Sequence, residues 1–285
     1  MGQLCIRTTI WMMLCILTML GNPPSVIADS NADALFQFAE ELFEDGEFYR
    51  AITEYRRLLS YFPDNPRAVD AHLRIFDCYF RGKRYLDAID WSRRTQKTYL
   101  GKEVQSRTHF NLGKALFELE NYPAARSHFE VVIYIHSDST LVDQSRYWRG
   151  LCYLMESRWE EASEAFRAIS PGSSLFERST EATRKALDGK YLPNKKPWVV
   201  GLLALLPGVG YLYVGSTQTA FSALLVNGLF FWGTYSAFRK GETGVGTVLS
   251  LFTFGWYTGS IYGSVVGAYK YNLRVKQAFW RTFIP

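Results

Sequence analysis

Carboxylates all but vanish from the last third of this 285-residue chain. From residue 198 onward only Glu242 is acidic, against Arg239, Lys240, Lys270, Arg274, Lys276 and Arg281, with Lys190, Lys195 and Lys196 just before them. Two stretches, 197–238 and 243–269, hold no ionisable side chain except tyrosine. Ion- and proton-coupled transport needs acidic, basic or histidine groups at membrane depth, so that chemistry is excluded here, although a polar-lined passive pore is not. The positive charge borders apolar segments and forms no basic stripe with interleaved aromatics. It therefore suits a membrane surface and argues against a nucleic-acid partner.

Cysteine is equally scarce. Cys5 and Cys15 sit in the first twenty residues, which leaves Cys78 and Cys152 for the rest of the chain. They fall at equivalent places in two non-adjacent repeats described below, and packed helices lie about 8–10 Å apart. Two free, buried thiols are therefore expected in place of a bridge.

Histidine occurs four times, as His72, His109, His128 and His136, with no HExxH or paired Cys/His spacing, so no metal site is expected. GETGVGTV lacks the Lys-Ser/Thr of a phosphate loop, and Ser173 and Ser174 have no base that sequence can place. No catalytic residue and no cofactor are assigned; the chain reads as a non-enzyme.

The amino terminus carries Arg7, an apolar run from Ile10 to Leu20 and the small-residue site Val26-Ile27-Ala28. That is the pattern of a secretory signal over residues 1–28, with an uncleaved anchor as the alternative.

The strongest positive signal is a period of 37. Ala51, Ala88, Ala125 and Ala162 recur at that step, each three residues after an aromatic: Phe48, Tyr85, Tyr122 and Trp159. The same step links Ala39, Phe76, Gly113 and Gly150; Leu42, Tyr79, Leu116 and Tyr153; and Tyr55, Ser92, Phe129 and Phe166. In the first unit Leu35, Phe38, Ala39 and Leu42 have helical spacing, Asp45-Gly46 makes a turn, and Ala51, Ile52, Tyr55 and Leu58 resume it until Pro63 and Pro66. Four helix-turn-helix units follow, none able to bury its apolar face without its neighbours.

These residues resemble the tetratricopeptide repeat over 32 to about 172, with a longer period and a departure at Phe76 and Ser92. The stretch YRAITEYRRLLSYFPDNPRAVDAHLRI is also similar to repeats of Gram-negative envelope proteins that assist outer-membrane assembly and cell-division coordination. The resemblance implies that the first helix of each pair lines a groove for a peptide segment of a partner. It places Phe36, Leu73, Phe110 and Tyr147 in that groove, with a second row of Phe43, Phe80, Phe117 and Leu154. Glu40, Asp77 and Lys114 lie beside them. The competing reading makes the second row packing between repeats.

The C-terminal part predicts three spans, 198–214, 220–238 and 245–269, with Trp and Tyr near their ends. The first contains LLPGVGYLYVG, where Pro207, Gly208 and Gly210 break regular helix, giving either a kinked span or a segment that dips in and returns. It resembles small bacterial membrane domains with a Pro-Gly-x-Gly turn before a helical hairpin. Gly255, Gly259, Gly263 and Gly267 recur every fourth residue, a stripe suited to close packing against another membrane helix. The preceding span is the expected neighbour, with a homo-oligomer as the alternative.

The expected architecture is all-α: a signal (1–28), a solenoid (29–172), a capping helix (173–189), a basic linker (190–197), a transmembrane domain (198–272) and a basic tail (273–285). The expected function is an exported scaffold in the bacterial inner membrane, its repeats on the periplasmic side binding another envelope protein, with membrane lipid as a second contact. The alternative is an oligomeric channel or insertion factor that uses the repeats for recruitment.

Overall fold

The computed structural model describes residues 24–135 and 139–283; most of the expected signal segment, and His136, lie outside them. Every regular element among the described residues is helical. The chain divides between Thr183 and Arg184 into two compact units.

The first unit holds α1 (Pro24–Glu44), α2 (Phe48–Tyr61), α3 (Arg67–Arg81), α4 (Tyr85–Thr98), α5 (Lys102–Glu118), α6 (Tyr122–Ile135), α7 (Ser139–Met155) and α8 (Trp159–Arg167). Each packs on the next, and α1, α3, α5 and α7 also neighbour one another in order. The four first helices thus share a face, as the 37-residue step requires.

Close approach within a pair is set by one large and one small residue. Tyr55, Phe129 and Phe166 on the second helices are fully buried and face Ala39, Gly113 and Gly150 in the repeat register. A Cβ on Gly113 would lie 2.6 Å from the Phe129 ring, and one on Gly150 would lie 2.5 Å from Phe166. The second repeat inverts the sizes: Phe76 is on the first helix and Ser92 on the second, each 1% exposed. Its departure from the pattern is therefore an exchange of volume at the same register.

Each pair turns through a residue in the left-handed region: Gly46, Lys83, Glu120 and Ser157, with φ between 57° and 78°. The following N–H donates back five residues in every case, as in Glu47 to Leu42 O (2.8 Å) and Arg84 to Tyr79 O (2.8 Å). This satisfies helix-end carbonyls in the usual left-handed cap, which glycine adopts at least cost. Cys78 and Cys152 are free and buried, as expected, and burial raises each thiol to about 12.

A further helix, α9 (Phe176–Asp188), contains the division, and a 3₁₀ turn Gly189–Tyr191 follows it. The second unit then has α10 (Pro197–Leu203), α11 (Val209–Tyr213), α12 (Thr217–Arg239) and α13 (Thr243–Trp280). Among the described residues one helix, α12, is long and apolar enough to cross a membrane by length and composition. Gly, Ser, Thr and Tyr dilute the apolar character of α13, and its helix runs through the expected basic tail as far as Trp280.

Segment 198–214, expected as a first span, is two short helices that double back. Gly201 lies beside Val265, and the Leu205 carbonyl accepts from Tyr257 Oη at 2.8 Å. The chain then reverses at Pro207-Gly208, and Gly210, Tyr211 and Val214 descend along Ser264, Gly263 and Gly267. Gly208 has φ +84°, and a Cβ there would meet the Ala220 carbonyl oxygen at 2.5 Å. Backbone conformation and space both require glycine at this turn.

The glycine stripe is consequently split. Gly263 meets Tyr211 of α11 and Gly267 meets Val214 just after it, whereas a Cβ on Gly255 or Gly259 would meet nothing within 4 Å. The expected stripe-to-α12 seam is absent at these four positions. What joins α12 to α13 is Gly246 under the Phe238 ring, a Thr234–Thr253 hydroxyl hydrogen bond of 2.8 Å and the Phe231–Tyr257 ring pair.

Candidate peptide-binding groove

The shared face of the first helices carries a cavity of about 390 Å³ lined by Phe36 of α1, Arg67, Asp70, Leu73, Arg74 and Asp77 of α3, and Arg107 of α5. The four charged residues of α3 follow helical steps of three and four, so they form one stripe beside Leu73. Two of the expected groove residues, Phe36 and Leu73, line this cavity and are half-buried.

Ion pairs hold its wall. Arg67 Nε donates to Asp33 at 3.0 Å with its guanidinium 5.2 Å from the Phe36 ring centre. Arg74 reaches Glu40 at 2.8 Å and Asp77 at 3.8 Å, and Arg107 pairs with Glu103 at 3.0 Å. Tyr55 Oη donates to the same Glu40 carboxylate; burial first, and that carboxylate second, push its pKa up. These arginines are two-fifths to one-half exposed, so each pair adds little stability, on the order of 0–1 kcal/mol. Their effect is to fix where charge stands along the groove.

Asp77 and Lys114 are mutually dependent. Burial raises the Asp77 pKa while Lys114 and Arg74 oppose the rise; burial lowers the Lys114 pKa while Asp77 opposes the fall. The Lys114 ammonium also sits 4.6 Å from the Phe80 ring centre and 5.9 Å from that of Phe110. Asp70 is half-buried and belongs to none of the ion pairs that fix the arginines, which leaves its carboxylate presented to the cavity.

The remaining expected positions pack. Phe43 and Phe117 are 4% and 6% exposed and stand edge-on to Phe48 and Phe117's neighbours Tyr122 and Trp148. Leu154 is buried, and Phe80 stacks on Phe76. Tyr147 is also buried, tilted against Phe166 with Arg178 over its ring. Phe110 is half-buried against Phe129 and does not line the cavity. Sequence reading missed Asp70 and Arg107, yet they occupy one row with Asp33 and Gln144 at the 37-residue step, one turn before the Phe36 row.

The three histidines among the described residues lie between helices. His72 stacks on Trp91 and its Nδ1 is 3.2 Å from Thr95 Oγ1, while His109 Nδ1 and His128 Nδ1 are 2.9 Å apart. No group of three metal-ligating side chains occurs among the described residues.

Residues 36–99 match the tetratricopeptide repeat family, a span that contains six of the seven cavity residues. Among solved structures, the crystal structure of the apo form of RapI is 16% identical, covers 92% of this chain and 82% of its own, and has a TM-score of 0.49. No curated protein matches this chain. The four repeated pairs make the first unit a helical-repeat solenoid that resembles the tetratricopeptide class over the matched residues.

Proposed function

We propose that the chain is an exported scaffold of the bacterial envelope, held in the inner membrane by its second unit, whose solenoid on the periplasmic side binds a segment of another envelope protein. The observation that carries the binding reading is the cavity on the first-helix face, where apolar Phe36 and Leu73 stand among fixed charges of both signs. An extended or helical segment with an apolar side chain for Phe36 and Leu73, and a basic one for Asp70, suits that surface. Cross-linking in membranes, with partner recovery compared between the wild-type chain and Phe36→Ala/Leu73→Ala, tests it. Unchanged recovery by a folded variant would reject the groove.

Support for membrane anchoring comes from the surface of the second unit. Phe221, Leu229 and Trp232 of α12 and Leu251, Phe252 and Phe254 of α13 are all more than three-fifths exposed. Six large apolar side chains exposed around one helical hairpin make a surface that water does not favour. With α10–α11 turning back on itself, the arrangement reads as a two-helix hairpin plus a re-entrant segment, replacing three spans.

The channel or insertion-factor reading retains one favouring observation: the open Gly255 and Gly259 border a cavity of about 400 Å³ with Tyr211, Ser222 and Trp256. If all activity follows the second unit and none the solenoid, that reading replaces the scaffold.

A further inference from the structure

Lys195 and Asn272 are 77 positions apart, yet their hydrogen bonds are paired: Lys195 N–H donates to Asn272 Oδ1 and Asn272 Nδ2 donates to Lys195 O, each at 2.8 Å. The Lys195 ammonium lies 4.4 Å from the ring centre of Tyr213 and 5.5 Å from that of Tyr271. This clasp draws the basic linker against the basic end of α13. Lys196 then follows Lys195 directly, while Lys270, Arg274 and Lys276 stand within about one turn of Asn272.

Acidic side chains are scarce in the sequence on both sides of this collar, Asp188 being the nearest before it. From Gly189 onward the chain has only Glu242, at the far end of α13, about 45 Å along the helix from Asn272. Lys196, Lys270 and Arg274 are exposed and Lys195 and Lys276 half-buried. The collar also rims the end of a hairpin whose flanks expose large apolar side chains. Aromatic rings beneath an ammonium suit the boundary between acyl chains and headgroups.

We infer that the clasped basic segments form one binding collar for the phosphate headgroups of anionic phospholipids in a single leaflet. The inference rests on the membrane reading above and adds to it a lipid class, a location and a device that assembles the collar from two distant stretches. Each cation near an anionic surface contributes about 1 kcal/mol, equivalent to about fivefold in partition, and the attraction fades with salt.

The test uses the full chain reconstituted in vesicles containing equal amounts of phosphatidylcholine and phosphatidylglycerol. Retention after an alkaline wash reports membrane insertion; mass spectrometry of lipids that stay with the protein in mild detergent reports preference. The expected result is retention with phosphatidylglycerol enriched several-fold. The variant Lys195→Gln/Lys270→Gln/Arg274→Gln/Lys276→Gln is retained equally and loses the enrichment, and Asn272→Ala, which keeps every charge but opens the clasp, loses part of it. A retained wild-type chain without enrichment overturns the collar while the anchor stands, as does enrichment that survives in the fourfold variant. Enrichment abolished by inorganic phosphate, at an ionic strength where matched chloride leaves it intact, assigns a simple anion site and also overturns it. A chain washed from the vesicles overturns anchor and collar together.

Discussion

The Phe129 ring occupies the volume that a side chain on Gly113 would need, at 2.6 Å from where its Cβ would stand. The helix pair α5–α6 is therefore closed by the pairing of one absent side chain with one large one. Ala39 with Tyr55 and Gly150 with Phe166 repeat the arrangement, and Phe76 with Ser92 reverses it. Gly113→Ala is expected to destabilise the solenoid by about 1–3 kcal/mol through overpacking, despite alanine's better helix propensity. Ser92→Phe is expected to do the same against Phe76. Combining Ser92→Phe with Phe76→Ala recovers part of the loss, with a coupling of about 0.5–3 kcal/mol in a urea-unfolding double-mutant cycle. Additive losses would refute the exchange.

Lys83, Glu120 and Ser157 hold the left-handed turns that Gly46 holds in the first repeat. Replacing any of the three with glycine relieves a backbone cost of about 1–2 kcal/mol, offset in part by a more flexible unfolded chain. A net gain of up to about 1 kcal/mol per site is expected from denaturant midpoints. Gly101, with φ −60° and ψ 135°, has no such requirement for glycine; in Gly101→Ala the stiffer unfolded chain is offset by alanine's poorer N-cap, so little net change is expected.

Groove chemistry is separable from packing. Phe36→Ala and Asp70→Asn should weaken capture of the proposed partner segment while leaving the thermal midpoint nearly unchanged for Asp70→Asn. Tyr147→Ala, by contrast, should unfold the third and fourth repeats first, at a cost of about 3–5 kcal/mol for an aromatic core truncation. Binding assays paired with circular dichroism distinguish the two classes.

Stability should fall with acidification below neutrality. Burial lowers His72 and His128 to about 4, with His109 and Arg93 adding to the effect at His128, and burial lowers His109 as well. The unfolded chain then binds more protons than the folded one between about pH 6.5 and 4. Stability is thus present above the ordinary histidine value and is lost as pH drops through that window. Between pH 7 and 5 full linkage would remove about 2 kcal/mol for each of His72 and His128, and solvent screening at these half-exposed rings reduces the expected loss to about 1 kcal/mol or less, read from denaturant unfolding. His128→Asn should flatten the profile; an unchanged slope would show that the pair is not buried neutral.

Gly208 is irreplaceable by either criterion that governs a glycine. Gly208→Ala should unseat α11 from Ala220 and expose Gly263 and Gly267. Single cysteines at positions 196 and 281 should label from the same side of the membrane in intact cells, whereas opposite-side labelling would restore three spans.

The solenoid was legible because each repeat's core is made by contacts within a few dozen residues and then copied at a fixed step. Ala51, Ala88, Ala125 and Ala162 announce the second helices, and all four are fully buried. The cavity was half legible: Phe36 and Leu73 stood out as apolar, while Asp70 and Arg107 resembled a solvated face. Tyr147 and the second aromatic row showed the helical spacing common to grooves and cores, and packing claimed most of them. In the second unit the Pro207-Gly208 break could be seen but the direction of the returning chain could not. Hydropathy carries no sign of travel, and the neighbours that set it, Gly263 and Gly267 against Tyr211 and Val214, lie about fifty residues further along the sequence.

The clasp between Lys195 and Asn272 has a consequence for modularity. Because the chain enters and leaves this part of the fold through hydrogen-bonded neighbours, residues 195–272 form a cassette with adjoining ends. Such a segment can be excised and grafted into a surface loop of an unrelated protein without stretching its host, since a loop already brings two backbone positions together.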